Sequence, residues 1–514
     1  MVRLTIDEAV NENSLHTIKI PFFCAEFFII YIREVVSKLS LLKEFYVILH
    51  FFVGLLLLLS IKKAEGGGVV MLGNAILGVL ILVEVVFVVL SLIKKTNFKQ
   101  EKSILRIALF CVFLLLVISP IIVWDFRWMM LGVLLGIQAL LGILFLVRKK
   151  GNAATKNSKT ILAFIGRVLL IVMVVLPALV LPQYEPIKTT GDYSVDTKSY
   201  TLTDESRKED FSETNENRKV TIQLWYPTDE SLKKDKAADE KMPLVIFSHG
   251  AFGYRLSNYS TFQELASNGY IVASIDHTYH AFMTKQEDGE TIIANIDFMN
   301  SAMQAQNGQL DAKETYELEQ EWMKLRTEDM AFVLDYIKNS AVSDTADAVF
   351  KRIDLEHIGA LGHSLGGATA AQIGREDEDV DAVIVVDGTM MGEIIGFKDG
   401  KEIVTDVPYP KPLMNLYNES HYQEALQLKA DYPNYSAEKN GLDAYSVVIK
   451  GTGHMNFTDL PIVSPFLSGL LETGDVEVNV DARDCIETTN GIILDFFNRY
   501  LKSSKIEIPR ERTL

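Results

Sequence analysis

Three residues in the last third of the chain have the types and order needed for acyl-transfer chemistry. Ser364 lies in Ile358-Gly-Ala-Leu-Gly-His-Ser-Leu-Gly-Gly-Ala-Thr-Ala-Ala371, which reads as a buried strand, a Gly-x-Ser-x-Gly turn and a helix opening on small residues. Such a turn needs glycine because strand and helix approach too closely for a Cβ. It leaves the serine hydroxyl exposed at the top of a sheet, where a histidine can take its proton and make it a nucleophile. His454, in Gly451-Thr-Gly-His454, is the candidate base. Asp387 ends the apolar run Ile384-Val-Val-Asp387 and would be costly to bury without a partner. It is the favoured group to orient the imidazole, and Glu419, one strand later, is the alternative.

His249-Gly250-Ala251 follows an earlier apolar run, where the backbone N–H of Ala251 can join that of Leu365 in an oxyanion hole. His249 reads as a structural hydrogen-bonder. His277 and His280 either line the pocket or sit in a surface loop. No metal or cofactor is expected: the acidic run 376–381 reads as a solvated loop, and no Cys/His cluster has zinc spacing. Cys485 is alone in the second half of the chain, so no internal disulfide is expected there.

These residues need a frame that brings them together. Residues 243–248, 270–275, 380–386, 412–417 and 445–450 join the elbow strand as short, nearly continuous apolar runs, the mark of strands buried on both faces. Helical stretches at 262–268, 327–338 and 487–502 separate or follow them. Residues 220–225 alternate as an edge strand would, inside a linker and hairpin over 183–242, and 281–325 form a long acidic insertion with helical spacing. Strands alternating with helices predict a doubly wound, mostly parallel sheet with ligands at the strand C-termini. Ser364, Asp387 and His454 fall at such ends in the chain order of the α/β-hydrolase fold, whose core is expected over 243–514.

The front of the chain differs. Residues 1–182 carry 19 Lys and Arg against 10 Asp and Glu, whereas the rest carries 31 against 57. The acidic second half argues against nucleic acid as a partner. Five apolar runs, 45–61, 68–93, 104–124, 128–147 and 161–181, match or approach the length that crosses ~30 Å of hydrocarbon. They predict an all-α transmembrane region over 45–182, after a cytoplasmic or interfacial segment 1–44 whose apolar stretch 21–32 is short for a span. Lys62-Lys63 follows the first run with no small-residue cleavage site, which argues against a signal peptide. Lys94, Lys95, Lys99 and Lys102 fill one loop, and Arg148, Lys149, Lys150, Lys156 and Lys159 another. Basic loops face the cytoplasm. The expectation is a multi-pass plasma-membrane protein with its second half on the exoplasmic side. Glu84 and Arg167 sit at matching depths in two runs. Either they pair, or the carboxyl is protonated and the arginine reaches to the interface.

Gly191-Asp-Tyr-Ser194, Leu224-Trp-Tyr-Pro227, Met242-Pro-Leu-Val-Ile-Phe-Ser-His-Gly250, Gly362-His-Ser-Leu-Gly-Gly-Ala-Thr369 and Gly451-Thr-Gly-His-Met-Asn-Phe457 occur in that order. Through them, residues 190–502 resemble the plasma-type platelet-activating factor acetylhydrolases and their dienelactone-hydrolase-like bacterial relatives. The resemblance implies a calcium-independent serine esterase for short or oxidised acyl chains of phospholipids, or for other small esters. It carries the triad onto Ser364, Asp387 and His454 and the oxyanion amides onto Ala251 and Leu365, which strengthens Asp387 over Glu419. Ala251 replaces a bulkier residue common in the family, a change that a backbone donor survives. The apolar front is foreign to the animal enzymes. A true dienelactone hydrolase would carry cysteine at position 364. Two other readings share these residues: a membrane sensor whose hydrolase-like domain only binds ligand, and an acyltransferase using the same triad. The expected partners are the lipid bilayer and an ester or phospholipid substrate.

Overall fold

The structure, a computed structural model, describes residues 70–149, 151–234, 240–472 and 478–514. The expected run 45–61, the stretch 21–32 and the segment 1–44 lie outside the described residues. The chain divides between Glu185 and Pro186 into two compact units.

In the first unit, the described residues form helices Val70–Lys94, Lys99–Ile118, Phe126–Val147 and Asn157–Val180. The first, third and fourth are long and apolar enough to cross a membrane. The second starts earlier than the apolar run and stops at Ile118, because Pro120 has no N–H with which to continue the ladder. Trp128, Leu131 and Val175 point inward and are buried, while Leu140, Leu162 and Leu169 stand exposed. Of the two arrangements open to Glu84 and Arg167, the structure has the paired one, with Nε 2.9 Å from Oε2.

The second unit is built on a sheet. Its strands in chain order are β1 (Val195–Lys208), β2 (Asn217–Pro227), β3 (Met242–Ser248), β4 (Ile271–Asp276), β7 (Ile353–His363), β8 (Val380–Val386), β11 (Leu413–Asn418), β12 (Ala444–Ile449) and β13 (Glu511–Thr513). Two small hairpins, β5–β6 (Met283–Lys285, Thr291–Ile293) and β9–β10 (Ile394–Lys398, Lys401–Val404), stand apart from it. Spatial order is β1-β2-β4-β3-β7-β8-β11-β12-β13 among the described residues. β1, β2 and β4 pair antiparallel, and every other pairing is parallel. Residues 220–225 are not an edge: β2 lies between β1 and β4 and is buried on both faces along most of its length. β1 takes the edge.

Helices cover both faces. Ala312–Val342 and Leu365–Glu376 pack on a core that includes Ile246, Ala360 and Val383, and Tyr259–Ser267 and Ala482–Leu501 pack on the core around Phe247, Leu361 and Ile384. At roughly 25 cal/mol per Å² of apolar surface, these fully buried strands hold the frame rigid, and the loops at their C-terminal ends inherit that rigidity. The insertion 281–325 is not helical throughout: it opens on the β5–β6 hairpin before helices Ile296–Gln306 and Ala312–Val342.

Candidate active site

β7 runs straight into Ser364, and helix Leu365–Glu376 begins on the next residue. Ser364 has φ 55° and ψ −127°, a conformation L-residues rarely adopt and that costs of order 1–3 kcal/mol. The surroundings hold it there. Its N–H donates to Val386 (2.8 Å) and its carbonyl accepts from Gly367 (2.8 Å). The motif glycines are steric necessities: a Cβ on Gly362 would collide with the Gly366 carbonyl, and one on Gly366 with the carbonyls of Ser248 and His249.

Asp387 follows β8 and is fully buried in the frame, with φ 49°. Its Oδ2 lies 2.7 Å from His454 Nδ1 and accepts from Asn418 Nδ2 at 2.8 Å. Its Oδ1 accepts from Asn418 N at 2.9 Å and lies 3.0 Å from His421 Nδ1. Burial alone would raise this carboxyl, yet the hydrogen bonds and charges of His421 and His454 hold it well below the usual carboxylate range. Burial would likewise lower His454, but the Asp387 hydrogen bond and the Asp387 and Glu472 charges raise it above the ordinary histidine value. The Glu472 carboxylate also accepts from the His454 N–H at 2.5 Å, fixing the loop. Glu419 stands exposed at the start of helix Glu419–Leu428, and the imidazole of His454 is held by Asp387 instead.

The three loops meet. His363, beside Ser364, places its ring 4.6 Å from that of His454 and its Nε2 3.2 Å from the His454 carbonyl. Burial and the neighbouring His454 push His363 down to about 3, so it stays neutral. Gly250 packs against the elbow: a Cβ built on it would lie 3.2 Å from Ser364 Cβ. Neither the Ala251 nor the Leu365 N–H has a hydrogen-bond acceptor among the described residues. The Gly250 carbonyl is heavily engaged, by His249 Nδ1 (2.6 Å), Gly253 N (3.1 Å) and Arg326 Nη2 (3.4 Å). In a trans peptide the following N–H points opposite to that carbonyl, so these three donors set the direction of the Ala251 N–H.

His249, His277 and His280 are all buried rather than set in a surface loop, and His249 makes the structural hydrogen bonds expected of it, its Nδ1 lying 2.6 Å from the Gly250 carbonyl. Ser248 Oγ lies 2.8 Å from His277 Nε2, and His277 Nδ1 lies 3.1 Å from Asp329 Oδ2. This is a second hydroxyl–imidazole–carboxylate row, with no exposure at any member. Burial pushes His277 down to about 4, and Arg218 and Arg207 engage the Asp329 carboxylate at 2.7 and 2.9 Å. The row is a scaffold under the end of β3. Arg326, also fully buried, donates to the carbonyls of His249, Gly250 and His280. Burial pulls its pKa down to about 9, leaving it charged at neutral pH.

The sequence reading missed His421 and Arg326. His421 had a signal, a histidine three residues past a buried strand's end. Arg326 had none, since it stands between the acidic insertion 281–325 and the helical stretch 327–338, where a charged side chain reads as solvent-facing.

A mostly parallel sheet with a serine elbow after its central strand, an aspartate after the next and a histidine near the last defines an α/β-hydrolase. A family model for platelet-activating factor acetylhydrolase, isoform II, matches residues 228–507. The chain belongs to that family. The platelet-activating factor acetylhydrolase of Bos taurus is 26% identical over 285 residues, covering 52% of this chain and 59% of the relative. That of Gallus gallus is 24% identical over 283 residues, covering 51% and 63%. A probable 1-alkyl-2-acetylglycerophosphocholine esterase of Arthroderma benhamiae is 26% identical over 155 residues, covering 30% and 33%. The chain thus spans less than two thirds of these relatives' lengths. A solved ferulic acid esterase from Streptomyces cinnamoneus aligns with 63% of this chain and 95% of its own, at 23% identity and TM-score 0.46.

Proposed function

We propose that this chain is a serine-dependent carboxylic ester hydrolase carried on a multi-pass membrane anchor. The observation that carries the reading is His454 Nδ1 held 2.7 Å from a buried Asp387 carboxylate, beside a serine locked at φ 55°. Ser364 Oγ attacks the acyl carbon while the neutral Nε2 of His454 takes its proton. The oxygen that gains charge is received by the Ala251 and Leu365 N–H groups. Collapse expels the alcohol, protonated by His454, and water then repeats the sequence on the acyl-enzyme. Asp387 keeps the proton of His454 on Nδ1 throughout.

Phospholipids with short or oxidised acyl chains are the favoured substrates, the short chain in line with the acetyl group in the relatives' names. Phe298, Trp322 and Met323 form an apolar cluster with Leu365, and Ala251 packs against it, which suits an acyl chain laid beside the oxyanion donors. The basic loops of the first unit favour a plasma-membrane protein with the hydrolase on the exoplasmic face. A membrane-impermeant fluorophosphonate applied to intact cells should label the full-length wild type and not Ser364→Ala. Purified wild type should hydrolyse p-nitrophenyl acetate and acetylated phospholipid. Equal labelling of both proteins overturns the serine mechanism, and labelling only after lysis overturns the exoplasmic placement.

A further inference from the structure

Asp387 holds two imidazoles rather than one. His454 Nδ1 lies 2.7 Å from its Oδ2, and His421 Nδ1 lies 3.0 Å from its Oδ1. Resting on the serine-esterase reading above, we infer that His421 is a positioning residue for the reaction. It sets how strongly Asp387 stabilises a charged His454, and so how readily His454 takes the Ser364 proton.

Asn418 fills the two remaining positions on the carboxylate, through its backbone N at 2.9 Å and its Nδ2 at 2.8 Å. Asp387 is ionised, and a carboxylate only accepts. Both histidines therefore carry hydrogen on Nδ1. In a neutral His421 ring the other nitrogen, Nε2, must accept, and the Tyr432 hydroxyl lies against it. Burial raises the Tyr432 phenol above its usual value, so it keeps a proton to donate. Thr389 Oγ1, 3.0 Å from the Tyr432 oxygen, then donates to that oxygen. Thr389, Tyr432 and His421 form one line of donors that ends on the Asp387 carboxylate, each bond polarising the next.

The line is firmly held. His421 stands in the first turn of helix Glu419–Leu428, and its own N–H donates to Asn418 Oδ1 at 2.8 Å. Beside Tyr432, Asn434 Nδ2 donates to the Gly388 carbonyl and Asn434 Oδ1 accepts from Met390 N, both at 2.8 Å, which braces the loop that carries Asp387. Asp387 and Tyr432 are the titratable groups bonded to His421. The Tyr417 ring stands edge-on 5.2 Å away, its hydroxyl given to Glu438 at 2.6 Å, and Glu419 and Glu424 on the same helix are exposed. A carboxylate that loses a donor becomes more basic. Without His421, Asp387 would stabilise the His454 imidazolium more, and His454 would lose its proton only at higher pH.

The test is the pH profile of the full-length protein between pH 5 and 9. It is read as kcat/KM on p-nitrophenyl acetate and, independently of substrate, as the rate of fluorophosphonate labelling. His421→Phe should move the acid limb up by about half a unit and lower kcat on the plateau roughly tenfold, with little change in KM. His421→Asn, whose amide N–H can take the place of Nδ1 and does not titrate, should recover most of the shift. Tyr432→Phe, which leaves His421 Nε2 without its donor, should move the limb in the same direction by less. A residue that only supports the fold would lower kcat at every pH and leave the limb in place. An unmoved limb or a downward shift in His421→Phe overturns the inference, and Tyr432→Phe decides by the same criterion where His421→Phe fails to fold. An inactive wild type, or equal labelling of Ser364→Ala, brings down the esterase reading and this inference together. An active wild type whose limb is indifferent to His421 brings down this inference alone.

Discussion

Arg326 donates to the main-chain oxygens of His249 and Gly250, the two residues that lead into Ala251. A buried guanidinium thus aims a backbone N–H that it does not touch. If the Ala251 N–H is an oxyanion donor, Arg326 is a positioning residue for it. Arg326→Met should lower kcat by about 10²-fold, the scale of a small misplacement, with little change in KM, and Arg326→Lys should recover part of the loss. An unchanged kcat in a folded variant, or a loss confined to KM, would remove this role.

Asp387 is the acid held against His454, and Glu419 is not. Asp387→Asn keeps the shape but favours the wrong imidazole tautomer, and kcat should fall roughly 10⁴-fold. Glu419→Gln should stay within about twofold of wild type, because its exposed carboxylate lies off the relay. Steady-state rates on p-nitrophenyl acetate separate the two, and a reversed order would reassign the acid.

The same contact sets a pH profile. In the proposed mechanism His454 must be neutral to accept the serine proton, and its pKa is raised. The acid limb of kcat/KM should therefore lie above about 6.5, the ordinary histidine value. In Asp387→Asn, burial acts with less opposition and the limb of the residual activity should move down. Stability follows with opposite signs. The raised His454 adds stability below its unfolded pKa and loses it as pH climbs through the folded value. The lowered Asp387 adds stability above roughly 3.9 and loses it as pH falls below that. Wild-type kcat/KM between pH 5 and 9 checks the first claim, and an acid limb centred below 6 contradicts it.

Gly366 faces two carbonyls across the elbow. Gly366→Ala should cost about 1–3 kcal/mol, the range for overpacking a tight site, and should depress activity with it. Gly491, where an added Cβ meets nothing within 4 Å, is the control, and Gly491→Ala should be neutral or slightly stabilising in its helix. Denaturant midpoints decide, and equal midpoints would show that the elbow has slack.

What the sequence disclosed depended on burial. β3, β11 and β12 are buried along their whole length and β8 at all but Asp381, so each was legible as an apolar run; Asp387 stood out as the first polar group beyond β8, and His454 as the histidine in the Gly-rich loop beyond β12. β13 is Glu-Arg-Thr, fully exposed, and exists only because β12 offers it a hydrogen-bonding edge. β2 looked like an edge because its alternation is real, but the strand that covers it, β1, is too polar to announce itself. Arg326 and Asp329 belong to the one face of a long helix that turns beneath β3. Charged side chains on a helix ordinarily read as solvent-facing, so periodicity alone could not reveal them. The Glu84–Arg167 contact was half legible, since depth along two runs is visible in sequence and which helices are neighbours is not.

Helix Ala312–Val342 carries Trp322 and Met323 in the apolar cluster beside Leu365, and Arg326 one turn later under Gly250. In the proposed mechanism, one rigid rod therefore touches both the cluster that would surround the acyl group and the carbonyl that steers the Ala251 amide. Specificity and turnover would then be mechanically linked: a bulkier substrate that pushed the rod aside would also tilt the Ala251 amide. Engineering a wider pocket here would proceed best by trimming side chains on helix Ile296–Gln306, leaving the rod where it lies.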